Sequence, residues 1–563
     1  MKSFIKPMIF CAALLGGMTS CDDFLTVEPV DKLVADNYYT SRKMVRSETL
    51  ALYSAKVWGN YFMNFSWKLD ELSGDIYYIY DQEGQWFFGN YNAGNQYILE
   101  GWKGLYNVIL QANSVINDMP APAAKNGVAQ TDIDAAVAEA RCIRAFAYYQ
   151  LAEIWHDVPI ITDNSSMIAN NQLSSPRHTQ KSVYQFIMDD LDFAVANLPL
   201  QDEDACRATR YTALAIRAKM GVTMAAHTDY GYDRDALFAQ AAKDAKEVMD
   251  AQTPIQDIDY STLFDYTTNN GPESLLAIQC MVYEYGYGNN RNCSWARSAV
   301  IADQQWGGGK GPTIALQHLY EQSDKRRMWT YMTLGDYYAN LDKADGGYTY
   351  KYVNRDSEGN VIEDRNEMNA HLKKYVIGKS ADTDGQVGPS QDAGNNIYLV
   401  RLADVYLTYA EALMGTAEQT TNADALGAVN AVRERAGLAG FTGSLTYEQL
   451  LEERHREFAL ESVVWLDLLR LSYRKGQDYA LNYLNTGFNT GYNRSAMYAM
   501  KNGTDQSQEN MASSYIIVKS KEEGSMYDPI LLSKSCFVVP IPQKAQTATP
   551  QLTEDPVDYY ATK

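Results

Sequence analysis

The side chains of this sequence best suited to contact a ligand are aromatic rings set among Gly, Asn and Asp. They fall in the segments 75–95 and 283–306, and they are Tyr78, Tyr80, Trp86, Tyr283, Tyr285, Tyr287, Trp295 and Trp306. A Tyr or Trp ring offers a flat apolar face and few rotatable bonds, so it binds with little loss of side-chain entropy. These loops predict a recognition surface, and packing within the loops is the alternative for any single ring.

The aromatic composition favours such a surface, because 42 Tyr stand against 16 Phe and 9 Trp. A second set of tyrosines occurs at helical spacing and is expected to fill helix interfaces: Tyr106, Tyr148, Tyr149, Tyr406 and Tyr409. The tyrosine excess therefore divides into a scaffold share and a ligand share.

The sequence contains no recognisable catalytic or cofactor-binding motif. Gly309-Lys310 resembles a phosphate loop, but Gly311 follows where a Ser or Thr should hold the metal. HExxH, CxxC and GxSxG are absent from the sequence, and the six His are far apart. We expect no enzyme, no cofactor and no metal site, although a glycosidase carboxylate pair has no sequence signature among 70 acidic residues. Calcium at the Asp- and Asn-rich segment 382–396 would lack EF-hand spacing.

The charge of the chain restricts its partners. The formal net charge is −21, and phosphate backbones and anionic lipid surfaces bind clustered Lys and Arg. Nucleic acid is therefore excluded as a partner, whereas a neutral ligand is not.

The amino terminus predicts a lipid-anchored, exported protein. Two lysines precede a short apolar run, and Met18-Thr19-Ser20-Cys21 resembles a bacterial lipobox. We expect residues 1–20 to be a signal peptide and Cys21 to carry the lipid, with ordinary cleavage and a free thiol as the alternative. No second hydrophobic stretch is long enough to cross a bilayer.

The other cysteines do not form a disulfide framework. Five remain beyond Cys11 and Cys21, an odd number at irregular spacing. Cys280 and Cys293 flank a loop and could pair, whereas most of the five are expected to be buried small apolar side chains.

Helical patterns fall in two blocks, at about 35–251 and 397–471. The predicted helices are 132–155, 180–197, 212–226, 235–251, 397–414, 423–436 and 446–471. Thr446 and Gln449 have capping-box spacing, and Gly437 supplies a helix stop. The insert between the blocks, residues 252–396, is rich in Gly, Asn, Asp and Tyr, and a loop region of this length is usually functional. A short strand is predicted at 537–539.

Pairs of helices about 34–40 residues long resemble degenerate tetratricopeptide repeats. Each hairpin must bury its apolar stripe against the next, so a stacked array can hold a long chain together without separable domains. We therefore predict a mainly α fold, a tetratricopeptide-like scaffold with a large loop-rich insert, in which residues 21–563 form one domain.

Several motifs occur in an order that resembles the SusD/RagB family of Bacteroidetes surface lipoproteins. In chain order they are Asp22-Asp23-Phe24-Leu25, Glu71-Leu72-Ser73-Gly74-Asp75, Trp102-x-x-Leu105-Tyr106, Glu139-Ala140-Arg141-Cys142-Ile143-Arg144, Arg401-Leu402-Ala403-Asp404-Val405-Tyr406, Glu453-Arg454-His455-Arg456-Glu457-Phe458, Trp465-x-Asp467-Leu468 and Leu552-Thr553-Glu554-Asp555-Pro556. The resemblance covers essentially the whole mature chain.

The resemblance implies a non-catalytic lipoprotein on the outer face of the outer membrane. Such proteins bind oligosaccharides, or peptides in the RagB branch, and deliver them to a SusC-like TonB-dependent transporter. The helices would face the transporter, and the loops would face the ligand. A pyranose ring presents a flat C–H face that packs on an aromatic ring, which matches the loop residues above. A surface glycoside hydrolase and a scaffold that only recruits proteins are two further hypotheses for the function.

The matching motifs are mostly scaffold. Arg144, Glu411, Arg454 and Glu457 are expected to form buried ion pairs rather than ligand contacts.

Overall fold

The computed structural model describes residues 38–172 and 174–561. The predicted signal peptide, residues 1–20, and the predicted lipidation site, Cys21, lie outside the described residues.

The first part of the chain is almost entirely helical. Its helices are α1 (Arg42–Glu48), α2 (Ala55–Gly59), α3 (Trp67–Ser73), α4 (Asp81–Phe88), α5 (Gln96–Asp118), α6 (Pro120–Lys125), α7 (Gln130–Trp155), α8 (Asn164–Ala169), α9 (Gln180–Asn197), α10 (Arg210–Ala226) and α11 (Arg234–Ala251). A π-helical segment, Asn60–Ser66, joins α2 to α3, and the short strand β1 (Ile76–Tyr77) follows α3.

The insert consists of loops held by short antiparallel strand pairs. Its strands are β2 (Ser274–Ile278), β3 (Gly311–Pro312), β4 (Tyr331–Thr333), β5 (Tyr337–Tyr338), β6 (Tyr348–Thr349), β7 (Asn354–Arg355), β8 (Val361–Glu363) and β9 (Ala370–Leu372), and its helices are α12 (Arg291–Trp295), α13 (Ile314–Leu319) and α14 (Arg327–Thr330). The pairs are β1 with β3, β4 with β9, β5 with β6 and β7 with β8.

The last part returns to helices and ends in loops. It contains β10 (Ile397–Arg401), α15 (Leu402–Met414), β11 (Gln419–Thr420), α16 (Ala423–Arg435), β12 (Leu445–Thr446), α17 (Tyr447–Phe458), α18 (Val464–Lys475), α19 (Gln477–Asn485), β13 (Met497–Met500), β14 (Tyr515–Val518) and α20 (Gln543–Ala548). The pairs are β2 with β10, β11 with β12 and β13 with β14.

The long helices stack in chain order. α5 packs on α7, α7 on α9, α9 on α10, α10 on α11, α11 on α15 and α15 on α16. One hydrophobic core contains Ile143 and Leu191 of the first part, Tyr350 of the insert, and Leu407 and Trp465 of the last part. The predicted mainly α, repeat-like scaffold with a loop-rich insert is confirmed.

Most predicted helices agree with the structure within two residues, and three predictions are wrong. Residues 397–401 are not helical, because this segment pairs with β2 as a strand. The predicted helix 446–471 is broken between α17 and α18, where Leu460 and Ser462 have positive φ angles. Residues 537–539 form no strand.

The described cysteines are free thiols, so Cys280 and Cys293 do not pair. Cys142, Cys293 and Cys536 are buried, whereas Cys206 and Cys280 are partly exposed.

Buried ion pairs connect the last helices to the rest of the molecule. Arg401 contacts Glu457 and Glu273 at 2.6 Å each, and Arg326 contacts Glu457 at 2.9 Å. A second network joins Arg454 to Asp467 at 2.7 Å.

The expected buried pairs of the motif residues are all present. Arg144 binds Asp190 at 2.7 Å, Arg470 binds Glu411 at 2.8 Å, and Arg454 and Glu457 belong to the networks above. The structural interpretation of these charges is confirmed.

Candidate ligand-binding surface

Two of the predicted loops lie side by side because their flanking strands pair. β1 and β3 are antiparallel, with Tyr77 opposite Gly311, so the segment after β1 runs along the segment before β3. A Cβ atom on Gly309 would lie 3.1 Å from the Tyr80 ring and 3.6 Å from the Tyr78 ring. The glycine therefore lets the 306–310 loop rest against both tyrosines.

Tyr80 and Trp306 are the accessible rings of this pair of loops. Tyr80 is 52% exposed and Trp306 is 51% exposed. The Tyr78 ring meets the Tyr80 ring edge to face at 5.5 Å, and the Trp306 backbone N–H donates to the Cys293 carbonyl at 2.9 Å. Half-exposed rings with fixed neighbours are suited to stack against a flat ligand. We refer to Tyr78, Tyr80 and residues 306–310 as the aromatic platform.

Lys310, the last residue of the platform, is buried behind the Tyr78 ring. Lys310 Nζ lies 4.7 Å from the Tyr78 ring centre, 4.5 Å from the Trp67 ring centre and 3.8 Å from Glu83 Oε2. Burial lowers the pKa of Lys310, and the Glu83 carboxylate offsets only part of that effect. Burial and the charge of Glu83 raise the pKa of Tyr78 to about 12, so this tyrosine is neutral at physiological pH.

The second group of predicted rings lies on the segment between β2 and α12. Tyr283 is 71% exposed, Tyr285 is also exposed, and Tyr287 is half-buried. The Tyr283 and Tyr287 rings meet edge to face at 5.3 Å, and Lys56 Nζ lies 5.0 Å from the centre of the Tyr287 ring. The Tyr283 backbone N–H donates to Asp392 Oδ2 at 2.9 Å, which fixes the segment to the 388–392 loop.

The 388–392 loop also reaches toward the platform. Gln304, two residues before Trp306 in the chain, donates through its side-chain amide to the carbonyl of Pro389. The insert thus connects both groups of rings through one loop.

Two predicted ligand residues are wrong, because Trp86 and Trp295 are fully buried. Trp86 lies in α4, where it stacks on Tyr91 at 4.2 Å and meets Phe65 edge to face. Trp295 lies in α12 and packs against Tyr375 at 6.0 Å. The sequence predicts loops for both segments, but each forms a short helix whose tryptophan points into the core.

Gly309 and Lys310 are the platform residues that the sequence prediction missed. Their dipeptide does not match a phosphate loop and belongs to no other motif named above. The signal that could have found them is the glycine run 307–309 directly after Trp306, since such a run permits close approach of the backbone to a ring.

Two cavities of the described residues have no platform residue in their walls. One, of about 710 Å³, is an apolar groove on the helical side between α5 and the C-terminal region, and Leu99, Trp102, Tyr106 and Leu110 of α5 contribute to its wall. Another, of about 510 Å³, lies within the insert.

Groups of three or more His, Cys, Asp or Glu side chains placed to hold a metal ion do not occur in the described parts of the chain. Within 38–172 and 174–561, no helix is both long and apolar enough to cross a membrane.

Two sequence models of known protein families match this chain. The sequence model of the SusD family matches residues 235–559. The chain belongs to the SusD family. A second family model, described as starch-binding and associating with the outer membrane, matches residues 23–221, so this SusD-family chain is an outer-membrane protein.

Full-length relatives agree with this membership. A SusD-like protein of Bacteroides ovatus is 30% identical over 568 residues, which cover 99% of each chain. A crystal structure with a xylogluco-oligosaccharide is 28% identical, with a TM-score of 0.76 over 92% of this chain and 99% of that chain. Surface glycan-binding protein A from Bacteroides thetaiotaomicron, in complex with laminarihexaose, shares the fold at 18% identity, with a TM-score of 0.64 over 90% of this chain and 98% of that chain.

Proposed function

We propose that this SusD-family protein captures oligosaccharides or polysaccharides at the outer membrane and passes them to a SusC-like TonB-dependent transporter. The observation that carries the proposal is the aromatic platform. Its Tyr80 and Trp306 rings are half-exposed, and the absence of a side chain at Gly309 lets the 306–310 loop pack against Tyr78 and Tyr80. The exposed Tyr283 and Tyr285, with the half-buried Tyr287, extend the candidate contact area.

The chemistry of the platform suits a neutral sugar. Aromatic faces pack on the C–H face of a pyranose while the hydroxyl groups stay hydrated. The net charge of −21 disfavours strongly anionic ligands. The relative solved with a xylogluco-oligosaccharide, 28% identical, makes β-glucans the first ligands to examine.

Binding without hydrolysis is the activity that we favour. Two carboxylates beneath the platform are engaged in the protein interior, since Glu83 faces Lys310 and Lys68, and Glu71 is fully buried. A glycosidase needs two carboxyl groups facing the scissile bond. Both of these carboxylates are paired with lysines instead.

We assign the helical side to the transporter, as the family resemblance implies. The apolar groove along α5 carries the exposed side chains Leu110 and Ile168 at its rim.

Calorimetry with the purified mature protein tests the ligand class. The panel is xyloglucan oligosaccharides, laminarin, soluble starch and a mixture of peptides. We expect saturable binding to at least one glycan, with no release of reducing sugar on prolonged incubation. Binding to peptides alone would favour a RagB-type peptide-uptake protein, and sugar release would establish a hydrolase.

Membrane fractionation tests the anchor and the partner. The Cys21→Ala protein should leave the outer-membrane fraction, and the Ile168→Glu protein should no longer co-purify with the transporter while it keeps glycan affinity. Wild-type amounts of the Cys21→Ala protein in the outer-membrane fraction would contradict the assigned anchor. Wild-type co-purification of the Ile168→Glu protein with the transporter would contradict the assigned docking face.

A further inference from the structure

The insert contains a cavity that shares no lining residue with the aromatic platform. Its volume is about 510 Å³, and its walls come from residues 261–267, α14, the β5–β6 hairpin and residues 377–383. A cavity of this size lies in the range that small-molecule and cofactor sites occupy. We call it the insert pocket.

One wall of the insert pocket is an exposed ring held in a fixed position. Tyr337, in β5, is 51% exposed, yet its hydroxyl donates to the Gly346 carbonyl at 2.9 Å. A Cβ atom on Gly347 would lie 2.5 Å from that hydroxyl, so the ring packs directly against the glycine backbone. Both glycines have positive φ angles, which side chains rarely adopt. The turn is therefore shaped to hold an exposed aromatic ring.

A second ring, Trp329 of α14, faces the same cavity. It is half-buried and meets the Tyr338 ring edge to face at 6.1 Å. Lys373 Nζ lies 5.2 Å from the Trp329 ring centre and donates to the Val376 carbonyl at 2.7 Å. The indole N–H of Trp329 has no hydrogen-bond partner within the described part of the chain, so it is available to a ligand.

The polar rim of the pocket offers further hydrogen-bonding groups. The side-chain amide of Asn340 is also without a partner among the described residues. Asp265 accepts hydrogen bonds from the Thr267 backbone N–H at 2.9 Å and hydroxyl at 2.6 Å, which leaves its second carboxylate oxygen available.

The charges around the pocket nearly balance. Asp265 and Asp382 line it together with Lys343, and Lys373 Nζ lies 5.2 Å from the Trp329 ring centre. Asp382 accepts backbone N–H groups of Asp342 at 3.0 Å and Lys343 at 2.8 Å, so it is fixed in place. Because charges of both signs surround the pocket, the lining has no strong preference for a charged ligand, and a neutral polyhydroxyl ligand suits it.

We propose that the insert pocket is a second saccharide-binding site, which holds a short neutral glycan segment between Tyr337 and Trp329 and reads its hydroxyl groups through Asn340 and Asp265. The inference rests on the proposed glycan-binding function and adds to it a second site per chain. Two sites on one anchored protein would raise the avidity for a polymer long enough to reach both.

Calorimetry on the full mature chain tests the second site, with the oligosaccharide found in the panel as probe. The Tyr80→Ala/Trp306→Ala protein disables the platform and should still bind one oligosaccharide per chain. Adding Tyr337→Ala should weaken the residual binding at least tenfold, and Asn340→Ala should weaken it without touching an aromatic ring. The matched control is Tyr479→Ala, which removes an exposed ring from α19 and should change neither site.

The outcomes separate this inference from the function on which it rests. If wild-type protein binds no saccharide, the proposed function and the second site are both contradicted. If wild-type protein binds one saccharide per chain and Tyr337→Ala leaves the affinity unchanged, only the second site is contradicted. Because half of the Tyr337 side chain is exposed, its removal should lower the melting temperature only slightly, so a loss of binding cannot come from unfolding.

Discussion

The charged network around Glu457 and the aromatic platform use their functional groups in opposite ways. Glu457 is fully buried and accepts hydrogen bonds from Arg326, Arg401 and Arg435. Tyr80 and Trp306 are half-exposed, so about half of each side chain stays open to solvent. This fold therefore uses buried charges to fix its elements to each other and leaves aromatic rings exposed for contact with a ligand.

The network also explains how loops can be rigid enough to bind. Through Arg401 and Glu457 it ties β10 to α17, and through Glu273 and Lys374 it reaches both ends of the insert. A binding surface held in place before the ligand arrives loses less entropy on binding. The buried charges therefore serve the platform indirectly, by fixing the base of the insert.

The largest expected effect follows from removing one charge of this network. Glu457→Gln leaves three arginines with one carboxylate fewer in the protein interior, and breaking a buried ion pair costs about 3–5 kcal/mol of unfolding free energy. Chemical denaturation measures the change. The matched control is Glu434→Gln on α16, where the carboxylate is exposed, and it should change the stability by less than about 0.5 kcal/mol. Equal stability of the two variants would contradict the role of the network.

A second prediction compares two tryptophans, Trp86 and Trp306, both of which the sequence predicts to bind the ligand. Trp86→Ala removes a buried ring and should cost about 3–5 kcal/mol of unfolding free energy. Trp306→Ala removes a half-exposed ring and should cost clearly less stability than Trp86→Ala while it weakens glycan binding. Denaturation and calorimetry on both proteins check this. A Trp306 variant as destabilised as Trp86→Ala, with unchanged glycan affinity, would contradict the assignment of Trp306 to ligand contact.

Helices with strong local signals could be predicted from the sequence. The capping box of Thr446 and Gln449 is present, with N–H donation to the threonine hydroxyl at 3.1 Å and to the glutamine oxygen at 2.9 Å. The break after α17 could not be predicted, because Leu460 and Ser462 carry no turn signal. Ser462 adopts a positive φ angle where its backbone N–H reaches Asp70 at 2.7 Å, a contact 392 residues away in sequence.

The candidate site was predictable in outline only. Exposure separates Tyr80 and Trp306 from Trp86 and Trp295, and exposure depends on which face of a short helix meets the core. Glycine and asparagine around Trp86 and Trp295 gave the same loop signal as around the exposed rings. Tertiary packing, which leaves no local pattern in so short a segment, decided the difference.

A smaller effect is expected from acid. Burial would raise the pKa of Asp404, but Lys219 at 3.0 Å and Arg454 at 2.6 Å outweigh it and hold the pKa at about 2. Because this value lies below the ~3.9 of an unfolded chain, the ionised group stabilises the folded state above about pH 4. That contribution, on the order of 2 kcal/mol, is lost as the pH falls from about 4 to 2.

The matched variant Asp404→Asn isolates this group. Its deficit in unfolding free energy relative to wild type should be full at about pH 6 and clearly smaller at about pH 3, because the Asp404 carboxylate of the unfolded chain is mostly protonated there while that of the folded chain is not. Denaturant titrations at the two pH values provide the measurement. A deficit that is the same at both pH values would contradict a folded-state pKa of Asp404 below that of the unfolded chain.

The most direct test of the account is the affinity of the platform variant for a glycan. Calorimetry compares wild type, Tyr80→Ala/Trp306→Ala and the control Tyr479→Ala, with the oligosaccharide identified in the panel. We expect the double variant to stay folded at the assay temperature and to lose at least about tenfold in affinity at the platform, about 1.4 kcal/mol or more, while the control is unchanged. Wild-type affinity and stoichiometry in the double variant would contradict the claim that these exposed rings capture the ligand.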